Sequence, residues 1–174
     1  MPGAGKATVV QVAETIGYGI VVMGDVVREE AKKRNLEPTP ENVGRVMLEL
    51  RKSGGPAVVA RRCILKIKEN SRKPVIVDGI RSLYETDVLR ENFPAFKLLA
   101  IHSSPETRFS RLYKRRRSDD PASWETFLER DWRELRVGIG SVIACADSML
   151  INEGKKIALE REVKKFLENV TKSG

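Results

Sequence analysis

Apolar and polar positions along the chain repeat with two different periods. Residues 19–23, 74–78, 96–102 and 148–152 form short apolar runs of the kind that predicts β-strands. The runs at 74–78 and 148–152 are nearly continuous, which predicts strands covered on both faces. Between them, helical spacing predicts helices over roughly 5–16, 25–34, 40–52, 56–70, 82–92, 105–117, 121–136 and 155–171. Thr39 followed by Pro40 reads as an N-cap with proline at the first helical position, and Asp120-Pro121 repeats the device. Strands alternating with helices predict an α/β domain with a mainly parallel sheet. With no internal repeat and no low-complexity linker, residues 1–174 read as one domain. Within it, residues 35–72 form a helical insertion and residues 105–137 an arginine-rich region.

Composition narrows the function classes. The chain is 41% hydrophobic over 174 residues, enough for a core, and no run approaches the ~18–20 apolar residues of a membrane span. The expectation is a soluble, intracellular protein with no membrane partner. Its charged fraction of 32% exceeds the usual ~25% and suits a heat-adapted surface. Two cysteines and one histidine cannot build a disulfide framework or a structural zinc site. Cys63 and Cys145 are expected in the core, and His102 as a structural histidine at a strand end. The net charge of +8 points to an anionic partner.

Four segments carry candidate chemistry. Met1-Pro2-Gly3-Ala4-Gly5-Lys6-Ala7 resembles the end of a phosphate loop, G-x-x-x-x-G-K-[ST]. Gly3 and Gly5 let backbone N–H groups turn around a phosphate, and Lys6 can reach the β- and γ-phosphates. Ala7 stands where a Mg²⁺-binding hydroxyl belongs, and Thr8 lies about 100° further round the helix. A flexible glycine-rich terminus is the competing reading. Asp25 and Arg28 share a helix face after the first strand, pointing toward the sheet edge where α/β ligands bind, or forming an ordinary N-cap with a surface ion pair. Asp78-Gly79-Ile80-Arg81 closes an apolar strand, with Asp78 poised for Mg²⁺ through water and Arg81 for a phosphate, or it is a structural turn. Arg108, Arg111 and Arg115 fall on one helical face, which would aim several guanidinium groups at a polyphosphate or simply form a solvated basic face. Asp119, Asp120, Glu125, Glu129, Asp131 and Glu134 interleave with these arginines and argue against a nucleic-acid stripe.

Together these motifs resemble the nucleoside monophosphate kinases, adenylate kinase above all, with dephospho-coenzyme A kinase as a relative. More narrowly, Met-Pro-Gly-Ala-Gly-Lys, Met-Gly-Asp-Val-Val-Arg, Val-Asp-Gly-Ile-Arg, Arg-Ser-Asp-Asp-Pro and Gly-Ile-Gly-Ser-Val-Ile-Ala-Cys-Ala-Asp resemble an archaeal family of adenylate-kinase-like ATP-binding proteins. The resemblance implies a P-loop kinase-like three-layer α/β sandwich with a helical lid and acceptor-side helices. It implies ATP and Mg²⁺ as cofactors and a small phosphorylated acceptor. Gly3, Ala4, Gly5, Lys6, Ala7 and Thr8 would then bind ATP, with Asn152 in the loop against the base. Lys6, Asp78, Arg115 and Arg117 would serve catalysis, and Asp25, Arg28 and Arg81 the acceptor. The oligomeric state is left open.

One further expectation concerns the start of the chain. In such a sheet the strand feeding the loop is central, and the first motif glycine would fall one residue before Met1. The sequence therefore predicts a native product with roughly 6–10 more residues, an apolar strand ending in glycine.

Overall fold

The computed structural model describes residues 1–70, 73–117 and 120–173. In chain order its elements are α1 (Lys6–Thr15), β1 (Gly19–Val22), α2 (Met23–Lys33), α3 (Pro40–Gly54), α4 (Val58–Glu69), β2 (Val75–Asp78), α5 (Leu83–Asn92), β3 (Leu99–His102), α6 (Pro105–Arg115), α7 (Trp124–Val137), α8 (Ile139–Ala144), β4 (Ser148–Ile151) and α9 (Lys156–Ser173). They fall into two compact units, Gly17–Phe96, and Met1–Ile16 with Lys97–Gly174. No helix among the described residues is long and apolar enough to cross a membrane.

In the unit Gly17–Phe96, β1 and β2 pair in parallel, with Gly19 beside Val75 and Val22 beside Asp78. Helices α2 to α5 build the core around them. Val46 and Leu50 of α3, Val59, Cys63 and Ile67 of α4, and Val26, Val27 and Ala31 of α2 meet there, with Leu89 of α5. Val46 and Leu50, Val59, Cys63 and Ile67, and Val27 and Ala31 are spaced by four, which places each set on one helical face, and burying a Val or Leu side chain contributes about 1.5–3 kcal/mol. Helices α3 and α4 thus pack into this core. Helix α3 begins as its sequence predicts, with the Thr39 side chain accepting the Asn42 N–H at 3.3 Å. Helix α2 starts two residues before the expected Asp25, directly from β1, with no side-chain cap.

In the other unit, β3 and β4 pair in parallel, Leu99 beside Ser148 and His102 beside Ile151. Val9 and Ala13 of α1 are buried, as are Leu159, Val163 and Leu167 of α9, and the two helices pack together. Phe109, Trp124 and Phe127 join α6 to α7, with ring centroids 5.3 Å apart for Phe109 and Trp124 and 5.0 Å for Trp124 and Phe127.

Several expectations are corrected here. Helix α7 is capped by Ser123, which forms a capping box with Thr126, and not by Asp120. Helix α8 was hidden by Gly138 and Gly140, whose helix cost obscures a six-residue element. Strand β4 is not covered on both faces, since Met149 and Ile151 are exposed. His102 is exposed, and so is Cys145. Cys63 is in the core, where burial pushes its thiol up to about 11.

This asymmetry predicts that a thiol reagent at neutral pH modifies one cysteine of the folded protein quickly and the second only after denaturation. The thiolate is the reacting species, and Cys63 lacks both access and ionisation. Two equivalents reacting at one rate in the native state would contradict the placement.

Candidate functional site

The glycine-rich segment is an ordered loop leading into α1. Gly3 and Gly5 both have left-handed backbones, with φ of 79° and 113°. Space demands glycine as well as conformation. A Cβ at Gly3 would lie 2.8 Å from the Arg108 carbonyl oxygen, and one at Gly5 would run into the Asn152 side-chain amide. Lys6 is the first residue of α1, which has no side-chain cap and no acid in its first turn. Its first-turn N–H groups and the helix dipole therefore offer a positive end to an anion. Lys6 and Ala7 are exposed, and Thr8 is half-buried, its N–H donating to the Gly5 carbonyl at 3.0 Å.

The loop is held from behind by the ends of β3 and β4. Ala4 is buried, and its carbonyl accepts the Asn152 side-chain amide at 2.8 Å. The Ser103 hydroxyl has one proton. It donates to the Asn152 carbonyl at 2.5 Å, so its 3.4 Å approach to the Ala4 carbonyl is the weaker contact. Arg111 donates to the Ser103 hydroxyl at 3.0 Å and to the Asn152 side-chain oxygen at 3.3 Å. Asn152 thus sits under the loop as a strut, with its side chain buried, rather than in an open position.

Arg108 is the second strut. It is only 4% exposed and donates from Nε to the Ser103 carbonyl at 3.2 Å and from Nη1 to the Pro2 carbonyl at 3.3 Å. Its fork closes on Asp131 of α7, at 2.8 and 2.5 Å, while its guanidinium lies 4.9 Å from the centre of the Phe127 ring.

The expected shared phosphate-facing row of Arg108, Arg111 and Arg115 does not form, because each has its own partner. Arg115 grips Asp120 with Nε at 2.9 Å and Nη2 at 2.5 Å, and the Arg117 main-chain N–H donates to the same carboxylate at 2.9 Å. The Arg115 guanidinium, followed by the Arg117 N–H, holds the Asp120 carboxyl below its ordinary range. The Arg117 residue is exposed. Ser118 and Asp119, part of the Arg-Ser-Asp-Asp motif, lie outside the described residues.

The acceptor-type residues belong to the unit Gly17–Phe96. Val22 and Asp78 are paired at the carboxyl ends of β1 and β2, so α2 and the Asp78–Arg81 turn leave the sheet side by side. Arg28 pairs with Asp25, Nε to Oδ1 at 3.0 Å, and its guanidinium lies against Gly24. Gly79 has φ of 106°, which turns the chain after Asp78. The turn is fixed by Glu85, which is 1% exposed and was not singled out from the sequence. Its Oε2 accepts the Arg81 N–H at 2.8 Å and the Ser82 N–H at 3.2 Å, while Oε1 accepts Arg51 at 2.9 Å. The signal was present as the capping box Ser82-x-x-Glu85.

Comparison with known proteins fits this geometry. A family model described as an AAA domain, a P-loop NTPase domain, matches residues 1–127. A UPF0200 protein of Thermococcus gammatolerans is 47% identical over 174 residues, covering 98% of this chain and 92% of its own. The UPF0200 protein of Methanocaldococcus jannaschii is 53% identical over 155 residues, covering 88% of this chain and 78% of its own. The chain belongs to the UPF0200 family. Among solved structures, this UPF0200 chain resembles TT1252 from Thermus thermophilus, with a TM-score of 0.64 at 21% identity, covering 97% of this chain and 93% of the other. A sugar kinase from Janibacter follows at 0.59 and 19%, covering 95% and 89%. These likenesses establish the fold, an α/β P-loop kinase type with parallel strands.

Removing Arg108 should leave the Asp131 carboxylate buried without its partner. Arg108→Ala is expected to cost about 3–5 kcal/mol in chemical denaturation, whereas Arg117→Ala should stay within about 0.5 kcal/mol. Equal effects would mean that Arg108 does not hold the loop.

Proposed function

We propose that this UPF0200 protein is an ATP-binding kinase related to adenylate kinase and dephospho-coenzyme A kinase. It moves the γ-phosphoryl of Mg-ATP to a small phosphorylated acceptor, a nucleoside monophosphate or related nucleotide. The observation that carries this reading is the loop itself: two left-handed glycines, an uncapped α1 and Lys6 at its start, with the loop carbonyls of Pro2 and Ala4 engaged from behind. Such a surface presents N–H donors to a polyphosphate, and the first turn of α1 carries no acid.

The roles follow from the chemistry. Residues Gly3, Ala4, Gly5, Lys6, Ala7 and Thr8 cradle the nucleotide phosphates, and Lys6 neutralises the β- and γ-phosphates. Asn152 acts in ATP binding by holding the Ala4 carbonyl. Asp25 orients Arg28, and Arg28 with the Arg81 guanidinium grips the acceptor phosphate. Arg115 and Arg117 stabilise charge on the transferring group, Arg115 by exchanging Asp120 for it. Mg²⁺ retains waters and binds through phosphates with one or two carboxylates, and it supplies charge neutralisation there. Asp78, one carboxylate at the carboxyl end of β2, would hold the ion through water.

A second reading, a nucleotide-binding ATPase-type regulator, is favoured by Ala7, which gives the metal no hydroxyl. ADP formation measured with ATP and each nucleoside monophosphate separates them. Acceptor-dependent turnover supports the kinase, and turnover indifferent to every acceptor supports the regulator.

Lys6→Ala removes charge-assisted hydrogen bonds of about 1.5–3 kcal/mol and should weaken ATP binding by roughly tenfold or more in calorimetry. Unchanged affinity in a folded variant would refute the loop's role. Arg81→Lys keeps the charge and loses the planar fork, so the acceptor KM should rise or kcat fall with ATP affinity preserved. Loss of both ligands together would place Arg81 elsewhere.

A further inference from the structure

Helix α7 has two different faces. Phe127 and Asp131 point inward, where Asp131 holds Arg108. Leu128, Trp132 and Leu135 point outward, and they are 37%, 60% and 43% exposed. At 100° per residue these three fall within about 60° of one another, so they form one continuous apolar ridge. Tyr113 of α6 is also half-exposed, and its ring packs on Phe109, which meets Trp124 one turn before Leu128. Isolated exposed apolar residues are ordinary, but a ridge centred on a tryptophan is the composition of an interface core.

The charges beside the ridge say what covers it. Glu125 and Glu129 are exposed in the first half of α7, and Arg133 and Arg136 in the second half. All four lie in the sector adjoining Trp132, within about 80° of rotation. A second α7 laid parallel about a two-fold would put the two charged flanks on opposite sides of the seam, where neither meets the other. Laid antiparallel about a two-fold axis near the middle of the helix, it sets Glu129 opposite Arg133, Glu125 near Arg136, and Leu128 against Leu135. The surface is therefore complementary to itself, as a two-fold interface requires. An anionic membrane or a nucleic acid would meet the two glutamates at one end of the ridge with repulsion.

We propose that this face is a homodimer surface, two copies of the chain packing α7 against α7 in antiparallel fashion around Trp132.

Sedimentation of the full chain from about 1 to 100 µM tests this, since that range brackets micromolar association. Wild type should show a monomer–dimer equilibrium, and Trp132→Glu should be monomeric with an unchanged circular dichroism spectrum. Glu129→Arg alone and Arg133→Glu alone should each weaken the dimer about tenfold or more, because like charges then face each other. An equimolar mixture of the two variants should restore association, because each supplies the charge the other needs. That rescue does not depend on how either variant affects stability. A wild type that stays monomeric throughout, a dimer that survives Trp132→Glu, or a mixture no better than its components would overturn the proposal. So would monomeric protein whose Trp132 fluorescence, read in a Trp124→Phe background, shifts to the blue on adding ATP, for the ridge would then be covered within one chain.

Discussion

The constraint on which the candidate site depends is that a loop offering its N–H groups to an anion must find partners for its carbonyl groups elsewhere. A buried carbonyl left unpaired costs about 1–3 kcal/mol, and here Ala4 is fully buried. The Asn152 amide satisfies it from the end of β4, and Arg108 satisfies Pro2 from α6. Once those two donors occupy the rear of the loop, no side chain fits at positions 3 or 5, and glycine follows from packing as well as from backbone angle. Arg111 then holds the Asn152 side-chain oxygen while Ser103 holds its main-chain carbonyl, and together they orient the strut.

Arg108 and Asp131 need a different justification from stability. Taking two charges out of water costs several kcal/mol per ion, and an apolar replacement of similar shape often does as well. What the ion pair supplies is direction. The fork on Asp131 fixes the guanidinium plane, Phe127 supports its face, and the remaining donors reach Ser103 and Pro2 together. Glu85 does the corresponding task in the unit Gly17–Phe96, where one buried carboxylate accepts both N–H groups of the turn after Gly79. In each unit a buried charge shapes the backbone beside a strand end.

Much of this was legible from pattern. The alternating strands and helices, the Thr39 cap and the Asp25–Arg28 pair follow from spacing of three and four residues and from local capping chemistry. Long-range partners were not legible. Arg108, Arg111 and Arg115 share a helical stripe, yet they diverge to Asp131, Asn152 and Asp120, because periodicity gives a direction around a helix and not the identity of what lies there. Asn152, assigned to the nucleotide base by resemblance, lies under the loop for the same reason: its partner Ala4 is distant in sequence. Helix α8 and the exposure of Cys145 escaped notice because glycines interrupt the pattern there.

The most direct measurement of the central claim is calorimetric titration of Mg-ATP onto wild type and Asn152→Ala, with amide exchange at Gly3, Gly5 and Lys6 followed in both. Asn152 holds the loop through the Ala4 carbonyl without providing its charge. The Asn152→Ala protein should keep its overall fold, exchange the loop amides faster, and bind ATP about tenfold or more weakly, the equivalent of one lost hydrogen bond at a buried carbonyl. Equal ATP affinity with faster exchange at those amides would show that the loop binds without its strut, and would contradict that claim.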